Sequence, residues 1–244
     1  IVGGGPVGVA LAVDLGLRGV SCALVEQHAA TQRIPKGQNL TQRTLEHFYF
    51  WGIVDELRTA RIMPSGYPIG GITAYGDLMG EYWYTPAGRE TVQSYYFQAN
   101  ERLPQYLTEE VLRRRLTDFP SVTSFFGWFA ETVQQDDKGV QVTITKGDGS
   151  ETLDLEAEYA VGCDGARSNV REKLGIRREG TDFNQRMVLA VIRSKELHQG
   201  LNSLPERSTY RALHPELKGV WQFFGRIDVG EGFFFHGPVP EDAT

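Results

Sequence analysis

The sequence predicts an α/β fold, with a parallel sheet and a β-meander followed by part of a mostly β second domain. Three observations carry that expectation. The turn "GGGPVG" separates a short apolar start from a helix-spaced stretch at the front of the 244-residue chain. A second apolar strand, "VSCALVE", follows that helix, and strand–turn–helix–strand requires parallel strands joined by a right-handed crossover. From 120 to 162 the alternation is of strand type, broken by turns at "DDKG" and "GDGS".

Each element has its own local signal. "PVGVALAVDLGLRG" repeats apolar residues at helical spacing (Val9, Leu11, Ala12, Leu15) and stops at Gly19, a natural C′ residue. Residues 27–39 are polar and irregular. "LTQRTLEHFYFWGIVDELR" reads as one or two helices with Thr41 as N-cap. Residues 63–97 are rich in Gly, Pro and Tyr, and "YGDLMGEYW" suggests a hairpin. "YLTEEVLRRRL" returns to helix with Thr108 as its expected cap and acidic residues in the first turn. After the meander, "ETLDLEAEYAVGCDG" reads as a strand that becomes buried, and "SNVREKLG" as a short helix capped by Ser168 and ended by Gly175. Beyond 180 the segments "MVLAVIRS", "GVWQFFGRID" and "GFFFHG" alternate as a second sheet would.

Composition excludes several classes. Hydrophobic content is 41% with 23% charged residues, ordinary for a globular protein, and the net charge of −6 gives nucleic acid no electrostatic footprint. No apolar run approaches the ~20 residues that span a bilayer. Two cysteines cannot make a disulfide framework; Cys22 and Cys163 are expected as strand-buried thiols in a reducing, cytoplasmic setting. The five histidines show no metal-ligand spacing, so no metal site is expected.

Gly3, Gly5 and Gly8 satisfy G-x-G-x-x-G between a strand and a helix. The first permits a tight turn, the second lets a pyrophosphate approach the backbone, and the third lets helix and strand pack closely. The phosphates would then rest on the positive end of the helix. Glu26 ends the second strand, where an acid binds ribose hydroxyls and repels a 2′-phosphate. The pocket is therefore expected to hold the ADP moiety of FAD or NAD; the alternative is a glycine turn beside a solvated Glu.

"YAVGCDGARSNVREKLG" separates those two cofactors. With its Asp164-Gly165 pair, the chain resembles the flavoprotein aromatic hydroxylases of the p-hydroxybenzoate hydroxylase type, whose members carry a "DG" motif here. "IPKGQNLTQRTLEHFYFWGI" is similar to the segment after that family's second strand, which usually has Arg where this chain has Lys36. "LPQYLTEEVLRRRL" is similar to the segment whose glutamine, here Gln105, contacts the flavin dinucleotide. The resemblance covers most of residues 1–175 and implies a Rossmann-type FAD-binding domain.

Carried over by position, it implies that Gly3, Gly5, Gly8, Glu26, Gln27, Lys36 and Gln105 line the FAD path, and that Asp164 and Gly165 serve FAD and the NAD(P)H donor. For Asp164 the alternative is a cap on the short helix. Lysine at 36 keeps the charge but not the bidentate fork of arginine. The family's later "GD" motif has no counterpart. Gly76-Asp77 and Gly147-Asp148 read as hairpin turns, so the chain reads as the front portion of a longer enzyme, also clipped before Ile1.

The family builds its substrate sheet where this chain has Trp221, Phe223, Phe224, Phe233, Phe234 and Phe235. Trp221, Phe223, Phe233 and Phe235 are the candidate substrate wall, an apolar surface suited to a planar phenolic ring, with strand packing as the alternative. Alternation puts Phe233 and Phe235 on one face and Phe234 on the other.

The implied activity is NAD(P)H- and O2-dependent hydroxylation of an aromatic ring on FAD, with no protein nucleophile. A related halogenase or reductase is the alternative, although the halogenases' W-x-W-x-I-P motif is not matched by "GVWQFFGRI"; a folded but inert piece is another. Residues 1–62 and 98–178 are expected to form the FAD-binding domain, and 63–97 with 179–244 part of the substrate domain.

Overall fold

The structure is a computed structural model and describes residues 1–81, 83–84, 89–180, 185–217 and 222–239. It is mixed α/β, with parallel and antiparallel sheets. The chain forms two compact units: Ile1–Arg33, Phe50–Leu57 and Gln105–Gly180 in one, Ile34–Tyr49, Arg58–Pro104 and Thr181–Thr244 in the other. Residues 34–49, 58–62 and 98–104, read from sequence with the first domain, thus group with the second unit. The cause is local pairing: Asn39–Leu40 forms an antiparallel ladder with Glu101–Arg102, and Glu101 binds Arg58 and Arg61.

In the first unit, strand Cys22–Glu26 pairs in parallel with Val122–Phe126. Val2 bridges in parallel to Val25 on one side and to Gly162 on the other. Val122–Phe126 therefore belongs to the parallel sheet, not to the meander that the alternation suggested. The segment before Asp164 joins the same sheet through that single bridge, because strand Thr152–Ala157 ends five residues earlier than Gly162.

Helix Pro6–Leu17 ends as expected, with Gly19 at φ +70. It packs against helix Gln105–Leu116, and at Gly16 a Cβ would meet the Phe119 ring at 2.6 Å. That second helix starts at Gln105, directly after Pro104, whose fixed φ and missing N–H suit the start of a helix and not its interior. Thr108 is consequently no cap: it is buried within the helix, and its hydroxyl has no hydrogen-bond partner.

The meander comprises Trp128–Asp136, Gly139–Lys146 and Thr152–Ala157, with a bulge between Ala130 and Thr132. Gly147-Asp148 lies in its second turn, as expected. Val2, Val25, Ala130, Val142, Ile144 and Val170 form the core that joins meander, parallel sheet and short helix. The two cysteines are half-buried, not core, because each lies at an end of its sheet segment. Burial nonetheless pushes both thiols above their ordinary value.

The second unit is a six-stranded sheet in the order Met187–Arg193, Gly232–Pro238, Gln222–Arg226, Thr209–Leu213, Gly71–Tyr75, Trp83–Tyr84. Every pairing is antiparallel except that of Thr209–Leu213 with Gly71–Tyr75. The last two strands make the expected hairpin around Gly76-Asp77. Among the described residues no helix is long and apolar enough to cross a membrane.

Candidate functional site

The glycine loop is shaped by what presses on it. Val2 donates to the Val161 carbonyl (2.9 Å) and accepts from the Cys163 N–H (2.6 Å), while Gly3 donates to the Val25 carbonyl (2.8 Å). At Gly3 the chain leaves the sheet with φ +103, a conformation open to glycine, and a Cβ there would lie 2.5 Å from the Cys163 carbonyl carbon. At Gly8 a Cβ would run into the Gly3 carbonyl oxygen, so the helix settles onto the loop only with glycine at that position. Gly5 differs from both. A Cβ there would meet nothing within 4 Å, so its outer face is open.

Gly5 is also the N-cap of helix Pro6–Leu17, and no side chain caps that end. The first-turn amides and the positive end of the helix dipole thus face the open side of the loop, the arrangement that receives a phosphate.

Glu26 stands at the mouth of this loop. Its Oε2 accepts from the Gly4 N–H (2.7 Å) and its Oε1 from the His28 N–H (2.8 Å). Each oxygen keeps a second lone pair for another donor. Gly4, which the G-x-G-x-x-G spacing leaves unassigned, is needed here: a Cβ would lie 2.5 Å from the Glu26 Cβ. The run of three glycines was its only signal.

Arg113 is a second residue that sequence reasoning missed. Its guanidinium lies 4.1 Å from the Phe126 ring centroid and donates to the Ala29 carbonyl (3.0 Å). Burial lowers its pKa, while the charges of Glu109, Glu26 and Glu110 act the other way. A helical "RRR" run gives no hint of which arginine packs on Phe126.

Asp164 caps the short helix Asn169–Lys173. Its Oδ1 accepts from the Ser168 hydroxyl (2.6 Å) and its Oδ2 from the Val170 N–H (3.1 Å), and Ser168 in turn accepts from the Arg171 N–H. Burial raises its pKa, but hydrogen bonds from Ser168 and the backbone outweigh that and hold it below the usual carboxylate value. The capping alternative is thus present in the structure. It leaves Asp164 beside Gly3, whose missing side chain makes the close approach possible. Gly165 follows at φ +80 and is exposed.

The remaining predicted positions are more scattered. Gln105 opens its helix, half-buried, with Nε2 donating to Glu109 (2.7 Å), and Gln27 is exposed. Lys36 is exposed and belongs to the second unit.

The expected aromatic wall does not form one surface. Trp221 lies outside the described residues. Phe233 is fully buried with Ile72, Leu201 and Tyr210, and its face includes Phe224, stacked on Tyr210 at 4.9 Å. Phe235 shares that face, as alternation required. Phe223 is on the other face, edge-on to Phe234 at 5.2 Å, because the register pairs Phe224 with Phe235 and Phe223 with His236. For Phe233 the packing alternative is therefore the one realised.

Among the described residues no cluster of His, Cys, Asp or Glu suits a metal ion. The fit to a dinucleotide is better: an open glycine, an uncapped helix end and an oriented carboxylate lie together. Comparison with known proteins agrees. The profile of the FAD-binding-domain family matches residues 1–216.

The chain belongs to that family.

FAD is the cofactor from which this family takes its description. Among its relatives is the 3-(3-hydroxy-phenyl)propionate/3-hydroxycinnamic acid hydroxylase of Burkholderia cenocepacia, 30% identical over 226 residues. That match covers 91% of this chain and 40% of the relative. The pentachlorophenol 4-monooxygenase of Sphingobium chlorophenolicum is 29% identical, with coverages of 77% and 33%. The flavin-dependent monooxygenase PieE, solved with FAD and substrate, superposes with a TM-score of 0.85 at 25% identity, over 100% of this chain and 43% of PieE. This FAD-binding-family chain thus spans about two fifths of the length of the curated hydroxylase it matches.

Proposed function

We propose that the first unit works as a Rossmann-type FAD-binding domain of an aromatic monooxygenase, with NAD(P)H as electron donor and a small phenolic compound and O2 as substrates. The open face of Gly5, at an uncapped helix end beside an oriented Glu26, is the observation that carries this reading. FAD supplies the redox chemistry when bound: with two electrons from NAD(P)H it activates O2, so that one oxygen atom enters the ring and the other leaves as water.

The chain's own residues bind and orient. The Gly5 backbone and the first helical turn hold the diphosphate, and Glu26 takes the ribose hydroxyls of the adenosine. Gln105 and Gln27 extend the cofactor path, and Asp164 stiffens the "DG" segment so that Gly165 presents bare backbone to the flavin dinucleotide. Two half-buried free thiols suit a reducing cytoplasm.

The test combines binding with turnover. The purified protein should be yellow, and phenols should stimulate NAD(P)H oxidation with stoichiometric ring hydroxylation. Glu26→Ala should weaken FAD binding by roughly 10- to 100-fold, the worth of one or two charge-assisted hydrogen bonds. NAD(P)H oxidation indifferent to phenols would sink the hydroxylase assignment, and unaltered FAD affinity in Glu26→Ala would sink the ribose role.

A further inference from the structure

The second unit buries a cation that, among the described residues, forms no ion pair. Arg102 is only 3% exposed. Its Nη1 donates to Asn39 Oδ1 (2.7 Å), and its Nη2 donates to Gln38 Oε1 (3.1 Å) and to the Arg226 carbonyl (3.0 Å). All three acceptors are neutral. The Nε has no hydrogen-bond partner, and among the described residues no carboxylate lies within salt-bridge distance. The Phe234 ring lies 5.8 Å from the guanidinium, a weak compensation for a desolvated charge. Burial lowers the Arg102 pKa to about 10, while the nearby Tyr67 acts the other way.

Arg102 forms part of the wall of a cleft of about 940 Å³, in the size range of small-molecule sites. Arg58 and Arg61 also line it, and among the described lining residues Glu101 is the one carboxylate. Glu101 is already engaged: Arg61 holds both of its oxygens at 3.0 and 3.1 Å, and Arg58 approaches at 3.5 Å. Among the described lining residues the basic side chains thus outnumber the acidic ones. Tyr67, Met63 and Ile69 give it aromatic and apolar walls. An isolated buried guanidinium costs free energy, and an anionic ligand in the cleft would offset that cost.

We infer that this cleft is an anion subsite in which Arg102 recognises the carboxylate of an aromatic acid, making the substrate a phenol with an acidic side chain. The inference deepens the proposed hydroxylase reading and rests on it for the ring. The phosphate of a nicotinamide dinucleotide offers the same chemistry, so the test separates the two sources.

Calorimetric titration of the purified flavoprotein with 3-(3-hydroxyphenyl)propionate and with its carboxamide reads the subsite directly, without turnover. The acid should bind at least tenfold more tightly than the amide, and Arg102→Gln should abolish that preference. Equal affinities for acid and amide in the unaltered protein, or no binding of either, would overturn the proposal without any variant having to fold. A preference that survives Arg102→Gln would overturn it too, as would an effect of that substitution on NADPH affinity alone. FAD content, measured on the same sample, reports separately on the flavoprotein reading.

Discussion

Gly5→Ala separates folding from cofactor binding. Gly5 has φ −70 and ψ −175, extended backbone that any residue adopts, and its added methyl meets nothing within 4 Å. Replacing glycine gains about 0.4–1 kcal/mol from a less flexible unfolded chain. Alanine is the poorer N-cap by about 0.5 kcal/mol. The two effects nearly cancel, so the apoprotein should melt within about 2 °C of the parent. With FAD the methyl stands where a phosphate oxygen should touch the backbone, an overpacking cost of roughly 1–3 kcal/mol. The FAD Kd should therefore rise roughly 5- to 150-fold. Fluorescence titration of apoprotein with FAD, beside differential scanning calorimetry, reads both quantities. Gly3→Ala supplies the contrast: at φ +103, with the Cβ 2.5 Å from Cys163, it should cost about 3 kcal/mol of stability with or without FAD. An unchanged Kd in a normally folded Gly5→Ala protein would refute a diphosphate at this face.

Asp164→Asn should cost about 1 kcal/mol at neutral pH through the weakened helix cap, measured by urea denaturation. The folded pKa of Asp164 lies below 3.8, so its contribution is complete above that value and lost as pH falls through the lower folded one; the gap between parent and variant should narrow below pH 3.8. A gap that stays constant into stronger acid contradicts the assigned bonds. Phe233→Ala should destabilise by about 3–5 kcal/mol, because the ring fills the core with Ile72, Leu201 and Tyr210. A surface-like loss below about 1 kcal/mol would return Phe233 to the substrate wall.

Local signals were legible wherever one residue type answers one geometric need. Gly3 and Gly8 were readable because their positions exclude a Cβ, and Thr41, Ser168, Gly19 and Gly175 because caps and stops leave characteristic residues. Thr108 misled because Pro104 starts the helix earlier, and a threonine on a buried helix face looks like a cap in sequence. Strand alternation put Phe233 and Phe235 together but could not say which face carries the core; cross-strand register decides that, and register is a tertiary property. For the same reason neither the seat of Arg113 on Phe126 and Ala29 nor the burial of Arg102 among neutral acceptors was visible, since each depends on partners far along the chain.

The central claim is that the loop at Gly3–Gly8 and Glu26 grip the adenosine diphosphate half of the cofactor. Titrating the apoprotein with FAD and with FMN, which lacks the adenylate, tests it most directly. Two or more charge-assisted contacts to that half make FAD the tighter ligand by at least about 100-fold. Equal affinities for FAD and FMN would contradict it.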